Sequence, residues 1–197
     1  MFQIEARSDI TELLECHESV DLLIPRGSNE FVQYIMNHTK IAVMGHADGI
    51  CHIYADKTLD LDKAIPVILD SKTQHTAVCN ATETLLVHKD IAGELLPRLN
   101  EALRAKNVEV RGTKEVRQIV ECEPATEEDF STEYLDLIIS VKIVEDIQEA
   151  VDHINKYGSH HTDCILTEDP KAARLFMQYV DSAGVYQNCS TRFADGY

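Results

Sequence analysis

The sequence predicts an α/β fold with a mostly parallel sheet flanked by helices. Short apolar runs of strand length alternate with longer segments whose apolar residues recur every three or four positions. The 197 residues are 44% hydrophobic and 26% charged, which is ordinary for a globular chain that can bury a substantial core. We find no low-complexity tract or internal repeat beyond this alternation.

The first predicted unit is strand, helix, strand. Apolar runs at 20–24 and 41–44 are typical of buried strands, and the turn "PRGS" follows the first of them. The helix between them has apolar side chains at helical spacing, namely Phe31, Val32, Ile35 and Met36. Such a βαβ unit normally has parallel strands and a right-handed crossover.

Two further strand and helix pairs follow. The run "CHIYA" predicts a strand, and the helix after it contains Pro66, so we expect that helix to begin late or to be kinked. The run "ETLLVH" predicts the next strand, and Asp90 is the expected N-cap of its helix. That helix places leucines and an isoleucine four positions apart, at Ile91, Leu95, Leu99 and Leu103.

The remaining segments continue the alternation. "VEVRG" predicts a short strand and 114–120 a small helix, before the polar stretch "CEPATEEDFSTEY". "LDLIISVKIV" predicts a half-buried strand, and its helix ends at Gly158. A buried strand in "TDCILTED", a helix that starts at Pro170 and a last strand in "GVYQN" complete the α/β pattern.

Composition excludes several classes of protein. The net charge is −16 and the 18 Lys and Arg residues form no basic run, so we expect no nucleic-acid partner. We see no apolar stretch near the roughly 20 residues that span a bilayer and no signal peptide, which predicts a cytoplasmic protein without a membrane partner. The six cysteines lack close ligand spacing, so we expect free thiols and no metal site. The histidines, including His46, His52, His160 and His161, are given no metal role.

The candidate nucleophile is Cys79, within "HTAVCNATETLLVH" at 75–88. A thiol reacts as the thiolate and needs a cation, a helix N-terminus or a neighbouring donor to ionise near neutral pH. His75 and Asn80 are its neighbours in the sequence. The alternative interpretation is a small buried apolar side chain, which is common for cysteine.

Five blocks of the sequence carry a family resemblance over nearly the whole chain. They are "LLIPRGSNEFVQYI", "GHADGICHIYADK", "CNATETLLVHKDIA", "EYLDLIISVKIVEDIQEAVDHINKYGSHHTD" and "NCSTRFADGY". They resemble the γ-glutamyl phosphate reductases, also called glutamate-5-semialdehyde dehydrogenases, of the aldehyde dehydrogenase superfamily. The resemblance implies an aldehyde-dehydrogenase-like fragment in which 1–48 is the last βα part of a nucleotide-binding domain. Residues 49–197 would be the catalytic domain, truncated at its C-terminal end.

The resemblance implies an NADPH-dependent reductase of proline biosynthesis, which converts L-glutamate 5-phosphate to L-glutamate 5-semialdehyde and phosphate. Cys79 falls on the cysteine that carries the acyl group as a thioester, with Asn80 beside it, and its backbone N–H is the expected oxyanion donor. Gly45 falls where oxidising relatives carry a general-base glutamate. The full-length protein would be a homo-oligomer, either monofunctional or fused to a kinase domain.

The resemblance also implies binding residues. Glu133 aligns with the glutamate that holds the nicotinamide ribose, and Gly27 and Ser28 occupy the turn that meets the pyrophosphate. Ser190, Thr191 and Arg192 are the expected substrate residues. Alternatives stay open: a solvated acid, an ordinary capped turn, and an arginine paired with an acid of the chain.

Two other function classes remain. The chain could be a non-catalytic module with this fold that serves as an assembly or binding surface, an interpretation that a buried and unreactive Cys79 would favour. A thiol-dependent acyl transferase or hydrolase would need a base near the thiol, and only His75 is close in sequence.

Overall fold

The computed structural model describes residues 7–45 and 48–196. The chain divides into two compact units, Met1–Asp48 and Gly49–Tyr197. The interpretation of these units as the end of a nucleotide-binding domain and a catalytic domain stays a prediction. His46 lies outside the described residues.

The first unit contains the predicted βαβ arrangement. Its elements are α1 Arg7–Glu15, β1 Leu22–Leu23, α2 Asn29–His38 and β2 Ala42–Val43. The two strands pair in parallel, which confirms that prediction, although each strand has only two residues. Helix α1 was not expected from the sequence, where its segment "RSDITELLE" carries few apolar residues.

The described part of the second unit is built around one sheet. Its strands are β3 Cys51–Ala55, β4 Thr82–His88, β5 Glu109–Gly112, β6 Glu123–Pro124, β7 Ile138–Val144, β8 Thr162–Leu166 and β9 Gly184–Gln187. Its helices are α3 Leu61–Thr73, α4 Lys89–Arg104, α5 Lys114–Arg117, α6 Ile147–Tyr157 and α7 Pro170–Tyr179, with 3₁₀ helices at Glu128–Ser131 and Thr191–Asp195. The strand order is β6-β5-β7-β4-β3-β8-β9, and every neighbouring pair is parallel. The predicted α/β fold with a parallel sheet is confirmed.

Helices cover both faces of this sheet. Ile53 and Leu85 point to the face that α3 and α4 cover, whereas their neighbours Tyr54 and Leu86 pack with α6 and α7. Successive strand residues therefore enter different cores, which explains why the apolar residues of β3 and β4 occur in unbroken runs and do not alternate with polar ones. Full burial of each such side chain contributes about 1.5–3 kcal/mol. No described helix has the length and apolarity needed to cross a membrane.

Two predicted helix starts differ from the structure. Helix α4 begins at Lys89 and not after Asp90, because the His88 imidazole accepts a hydrogen bond from the Asp90 backbone N–H at 3.1 Å and caps the helix. Helix α3 does not begin late, since Asp60 caps it six residues before Pro66 by accepting from the Asp62 and Lys63 N–H groups. Pro66 lies inside that helix.

Candidate active site

Cys79 lies in the loop 74–81, which joins the end of α3 to the start of β4. The thiol-bearing residue is half-buried. Cys79 and Asn80 are the central residues of a tight turn, closed by the Ala81 N–H donating to the Val78 carbonyl at 3.0 Å. The turn presents both residues at the amino-terminal edge of the sheet, where β3 and β4 begin side by side.

The segment that enters β3 packs closely on the backbone of Cys79. A Cβ atom at Gly49 would lie 2.0 Å from the Cys79 carbonyl oxygen and 2.4 Å from its Cα. The buried Cys51 thiol donates to the same carbonyl oxygen at 3.2 Å. The backbone of Cys79 is therefore fixed from one side by a glycine and a thiol, and no larger residue than glycine fits at position 49 without a shift.

A closed polar network holds the Asn80 side chain, which is 1% exposed. Its Nδ2 donates to Asp195 Oδ1 at 2.9 Å, and its Oδ1 accepts from the Arg192 guanidinium. Arg192 also donates to Asp195 Oδ2 at 2.7 Å and to Gln74 Oε1 at 3.0 Å. The 3₁₀ helix Thr191–Asp195 is thereby tied to both ends of the thiol loop, at Gln74 and Asn80.

The three predicted substrate residues lie inside this arrangement. Arg192 is 6% exposed and has an acidic partner in Asp195, which matches the alternative that the sequence left open. Ser190 and Thr191 are also buried, and both contact Ser71 of α3, each at 3.2 Å. The Ser71 contacts join this segment to α3, and the bonds from Arg192 join it to the thiol loop. A direct role of the three residues in substrate binding stays a prediction.

A buried ion pair closes the two ends of the same loop. Lys72 Nζ lies 2.6 Å from Glu83 Oε2, and both side chains are 0% exposed. Burial raises the pKa of Glu83 to about 7 despite the attraction of Lys72, and burial lowers the pKa of Lys72. The second Glu83 oxygen accepts from the Leu135 N–H at 3.4 Å. Glu133, the half-buried residue predicted to bind the nicotinamide ribose, is two positions away on the same segment.

The predicted pyrophosphate turn lies in the first unit. Ser28 caps α2 by accepting from the Phe31 N–H at 3.4 Å. Gly27 lies so close to the Phe31 ring that a Cβ at position 27 would be 2.9 Å from Phe31 Cδ1. An open groove of about 750 Å³ borders this turn and also includes Arg26 and Glu30. The turn therefore combines a helix N-terminus, a cation and space, while the binding role of Gly27 and Ser28 stays a prediction.

A family model described as the aldehyde dehydrogenase family matches residues 3–119. The chain belongs to the aldehyde dehydrogenase family. It is 60% identical over 194 residues to "Gamma-glutamyl phosphate reductase 1" of Synechocystis sp. and 58% identical to "Gamma-glutamyl phosphate reductase" of Acetivibrio thermocellus. In both cases the match covers 98% of this chain and 45% of the relative, so the chain spans less than half the length of these relatives.

The fold agrees with a solved structure of the same description. The crystal structure of γ-glutamyl phosphate reductase from Thermotoga maritima superposes with a TM-score of 0.95 at 46% identity. The superposition covers 97% of this chain and 46% of that one. This close agreement confirms the aldehyde-dehydrogenase-like fold that the resemblance implied.

The other cysteines differ from Cys79 in ways that matter for a thiol reaction. Cys51 and Cys164 are fully buried, and their pKa values lie well above the ordinary value, for Cys51 mainly through burial. A hydrogen bond from Cys164 lowers the pKa of the half-buried Cys189 to about 7. We therefore expect Cys189 to react with alkylating reagents at neutral pH more readily than the two buried thiols.

The described histidines offer no metal site. Among residues 7–45 and 48–196 there is no group of three side chains that could hold a metal ion. His52 is buried and its Nδ1 lies 3.2 Å from Asp163 Oδ1, while His75 is exposed on the thiol loop.

Sequence reasoning missed Lys72, Glu83 and Gly49. One signal was present: Lys72 falls four residues after Ile68 on the apolar side of α3, and Glu83 lies in a predicted buried strand, shortly before its apolar run at 85–87. A buried charge on each of two consecutive elements indicates an ion pair. Gly49 carries no such signal, because its close approach to Cys79 depends on the pairing of β3 with β4.

Proposed function

We propose that this chain is the thiol-bearing part of a γ-glutamyl phosphate reductase, which converts L-glutamate 5-phosphate to L-glutamate 5-semialdehyde and phosphate with NADPH in proline biosynthesis. The observation that carries the proposal is the hydrogen-bonded Cys79–Asn80 turn, in a chain 60% identical to a protein of that description. The cysteine is half-buried and not fully buried, which is compatible with a reacting thiol. A homo-oligomeric and cytoplasmic full-length protein remains part of the proposal.

Cys79 carries the covalent step. Its thiolate attacks the acyl carbon of the substrate, the C–O bond to phosphate breaks, and phosphate leaves with the electron pair, so that a γ-glutamyl thioester forms. Negative charge develops on the carbonyl oxygen, and the backbone N–H of Cys79 is the donor proposed for it. One such donor typically contributes about 3 kcal/mol to the transition state. The packing of Gly49 and the Cys51 thiol on the Cys79 backbone supports this role, because a donor must be fixed in advance.

The turn at Gly27 and Ser28 fits a dinucleotide. The N-terminus of α2, its Ser28 cap and the neighbouring Arg26 border open space into which a pyrophosphate would fit, and Glu30 is the one acid among the described residues that line it. Glu133 would accept hydrogen bonds from the ribose hydroxyls. When bound, NADPH supplies the hydride that reduces the thioester to a thiohemiacetal. Cys79 then leaves as the thiolate and the aldehyde is released.

By the family resemblance, Gly45 stands where oxidising relatives carry a general base, which favours reduction over hydrolysis. Glycine has no side chain that could take a proton from water, and a Cβ at this position would already lie 3.1 Å from Pro25 Cγ. A thioester on Cys79 would then await hydride or phosphate, since general-base activation of water typically contributes 10²- to 10⁴-fold. In the reverse direction, the full-length enzyme should oxidise glutamate 5-semialdehyde only when phosphate accepts the acyl group.

The test compares two cysteine variants of the full-length protein. Cys79→Ser should lower NADPH-dependent reduction of L-glutamate 5-phosphate at least about a thousandfold, because the nucleophile is lost. Cys122→Ser, which changes another half-buried cysteine, should retain activity. In phosphate-free buffer the native protein should give no more than one NADPH per active site from the aldehyde. Full activity of Cys79→Ser, or sustained NADPH formation with free glutamate as product, would refute the proposal.

A further inference from the structure

The Lys72–Glu83 pair joins the two elements that carry the thiol loop. Lys72 is in the last turn of α3 and Glu83 is the second residue of β4, with the loop 74–81 between them. The 2.6 Å contact between Lys72 Nζ and Glu83 Oε2 therefore closes the base of the loop that bears Cys79.

The same carboxylate reaches a third segment. Glu83 Oε1 accepts from the backbone N–H of Leu135, whose φ of 54° is a left-handed conformation that leucine seldom adopts. The ring of Tyr134 lies 5.9 Å from Lys72 Nζ, and its hydroxyl is 2.7 Å from both Asp129 Oδ1 and Ser140 Oγ. The backbone beside Glu133 thus has an unusual conformation, and the buried pair supplies one of the hydrogen bonds made to it.

Stability alone does not account for this pair. Two apolar side chains of similar size in a fully buried site are often as stabilising as an ion pair, because charges lose their hydration on burial. Burial shifts both groups of this pair towards their neutral forms, which indicates that the desolvation cost is large. Directional bonds from one carboxylate to two separate segments supply what apolar packing cannot, namely a fixed spacing between them.

We propose that Lys72 and Glu83 are positioning residues, which set the thiol loop of Cys79 against the segment of Glu133. The inference rests on the proposed function, in which Cys79 is the nucleophile and Glu133 binds the cofactor. In the structure Glu83 bonds to the Leu135 N–H and to Lys72, so we infer that it acts through the segment of Glu133 and through the two ends of the loop. The pair should therefore affect cofactor binding and thiol reactivity together.

The test uses the full-length protein with three variants. Lys72→Met/Glu83→Leu removes both charges and keeps approximate side-chain size, Glu83→Gln keeps the shape, and Lys63→Met changes an exposed lysine of the same helix as a control. Three readouts follow: hydrogen exchange of peptides covering 74–81 and 133–135, alkylation of Cys79 relative to the exposed Cys16, and KM for NADPH apart from kcat.

In the double variant we expect faster exchange in both peptides and at least a threefold change in the Cys79-to-Cys16 ratio. We also expect a 10- to 100-fold lower kcat/KM for NADPH that includes a raised KM, since small displacements in a site have effects of this size. Lys63→Met should match the native protein in all three. If the double variant does not fold, Glu83→Gln provides the test, and we expect smaller changes in the same direction in exchange, alkylation ratio and KM.

The inference is wrong if a folded variant of the pair leaves exchange, the alkylation ratio and KM unchanged. A native protein without reductase activity would instead overturn the proposed function. Exchange and alkylation would still show whether the pair holds the two segments, because neither measurement requires turnover.

Discussion

The two ends of helix α3 carry lysine–carboxylate pairs in opposite surroundings. At the first turn, Lys63 pairs with Asp60 at 3.3 Å, with the side chains 73% and 40% exposed. At the last turn, Lys72 pairs with Glu83 at 2.6 Å, and both are 0% exposed. The same two charge types thus occur in water at one end and within the core at the other, directly before the loop that carries Cys79.

The difference shows that losing one partner should cost far more stability in the buried pair than in the exposed pair. Exposed ion pairs are screened by water and salt, and their side chains lose entropy on pairing, so they contribute little. A buried charge that loses its partner is left without water or a counter-charge. We therefore expect α3 to tolerate changes at its first turn and to be sensitive at its last turn.

The largest effect is expected from Lys72→Met. Removing the ammonium leaves the Glu83 carboxyl buried and unpaired, which should lower the free energy of unfolding by about 3–5 kcal/mol. Lys63→Met should leave the urea midpoint within experimental error. Urea unfolding of both variants checks the comparison, and equal midpoints would contradict it.

The second prediction concerns pH. The pKa of Glu83 is about 7 in the folded chain and near 4.5 without the fold, so the folded state binds more protons between these values. This carboxyl therefore contributes stability at low pH that is lost as pH rises from 4.5 to 7, by up to about 3 kcal/mol. Glu83→Gln should lack this loss. Urea unfolding of both proteins from pH 4.5 to 7 measures it.

His153 adds a pH dependence of opposite sign to that measurement, which is why the two proteins are compared. Burial lowers its pKa from 6.5 to about 3, so the unfolded chain binds more protons in this range and stability falls as pH falls. This slope has the opposite sign, but it is present in both proteins and cancels in their difference. A native-minus-variant difference that stays flat from pH 4.5 to 7 would show that Glu83 does not titrate as described.

The alternation of strands and helices could be predicted because each element carries its own periodicity. "TETLLVH" is a strand by composition, and the apolar residues of α4 recur at helical spacing. Short-range contacts were less predictable: Asp90 is an ordinary N-cap residue, yet the His88 side chain takes that position. Helix ends depend on side-chain conformations that residue type alone does not fix.

The candidate site shows a different limit. The family resemblance singles out Cys79, whose catalytic role stays a prediction, whereas the residues that pack on its loop are distant in sequence. Arg192, more than 100 residues further along the chain, contacts Asn80 and Gln74. Gly49, which precedes β3, contacts Cys79, which precedes the adjacent strand β4. Neither contact follows from local patterns, because each depends on the order of strands in the sheet.

A third prediction extends the comparison to the backbone beside the buried end of α3. Gly49→Ala would place a Cβ 2.0 Å from the Cys79 carbonyl oxygen, so we expect about 1–3 kcal/mol of destabilisation. Gly93→Ala is the matched control, because a Cβ there meets no atom within 4 Å and the residue lies inside α4. That change should stabilise the chain by about 0.5–1 kcal/mol. Urea unfolding of both alanine variants checks the contrast, and similar values for the two would mean that the segment before β3 can move away from Cys79.

The smallest effect concerns the exposed end of α3. Asp60 has two roles there: its carboxylate accepts from the backbone N–H groups of Asp62 and Lys63, and it pairs with the Lys63 ammonium. Asparagine keeps the first role and removes the second, because its side-chain oxygen caps a helix about as well as that of aspartate. Alanine removes both.

We therefore expect Asp60→Asn to leave the urea midpoint nearly unchanged and Asp60→Ala to lower it by a small, measurable amount. The contrast assigns the contribution of this end of α3 to the cap and not to the ion pair. Repeating both measurements in high salt separates the two further, since salt screens an exposed charge pair but not the capping bond. If Asn and Ala lowered the midpoint equally and salt abolished the loss, the exposed pair would be the stabilising contact. The difference between the two ends of α3 would then be one of degree only.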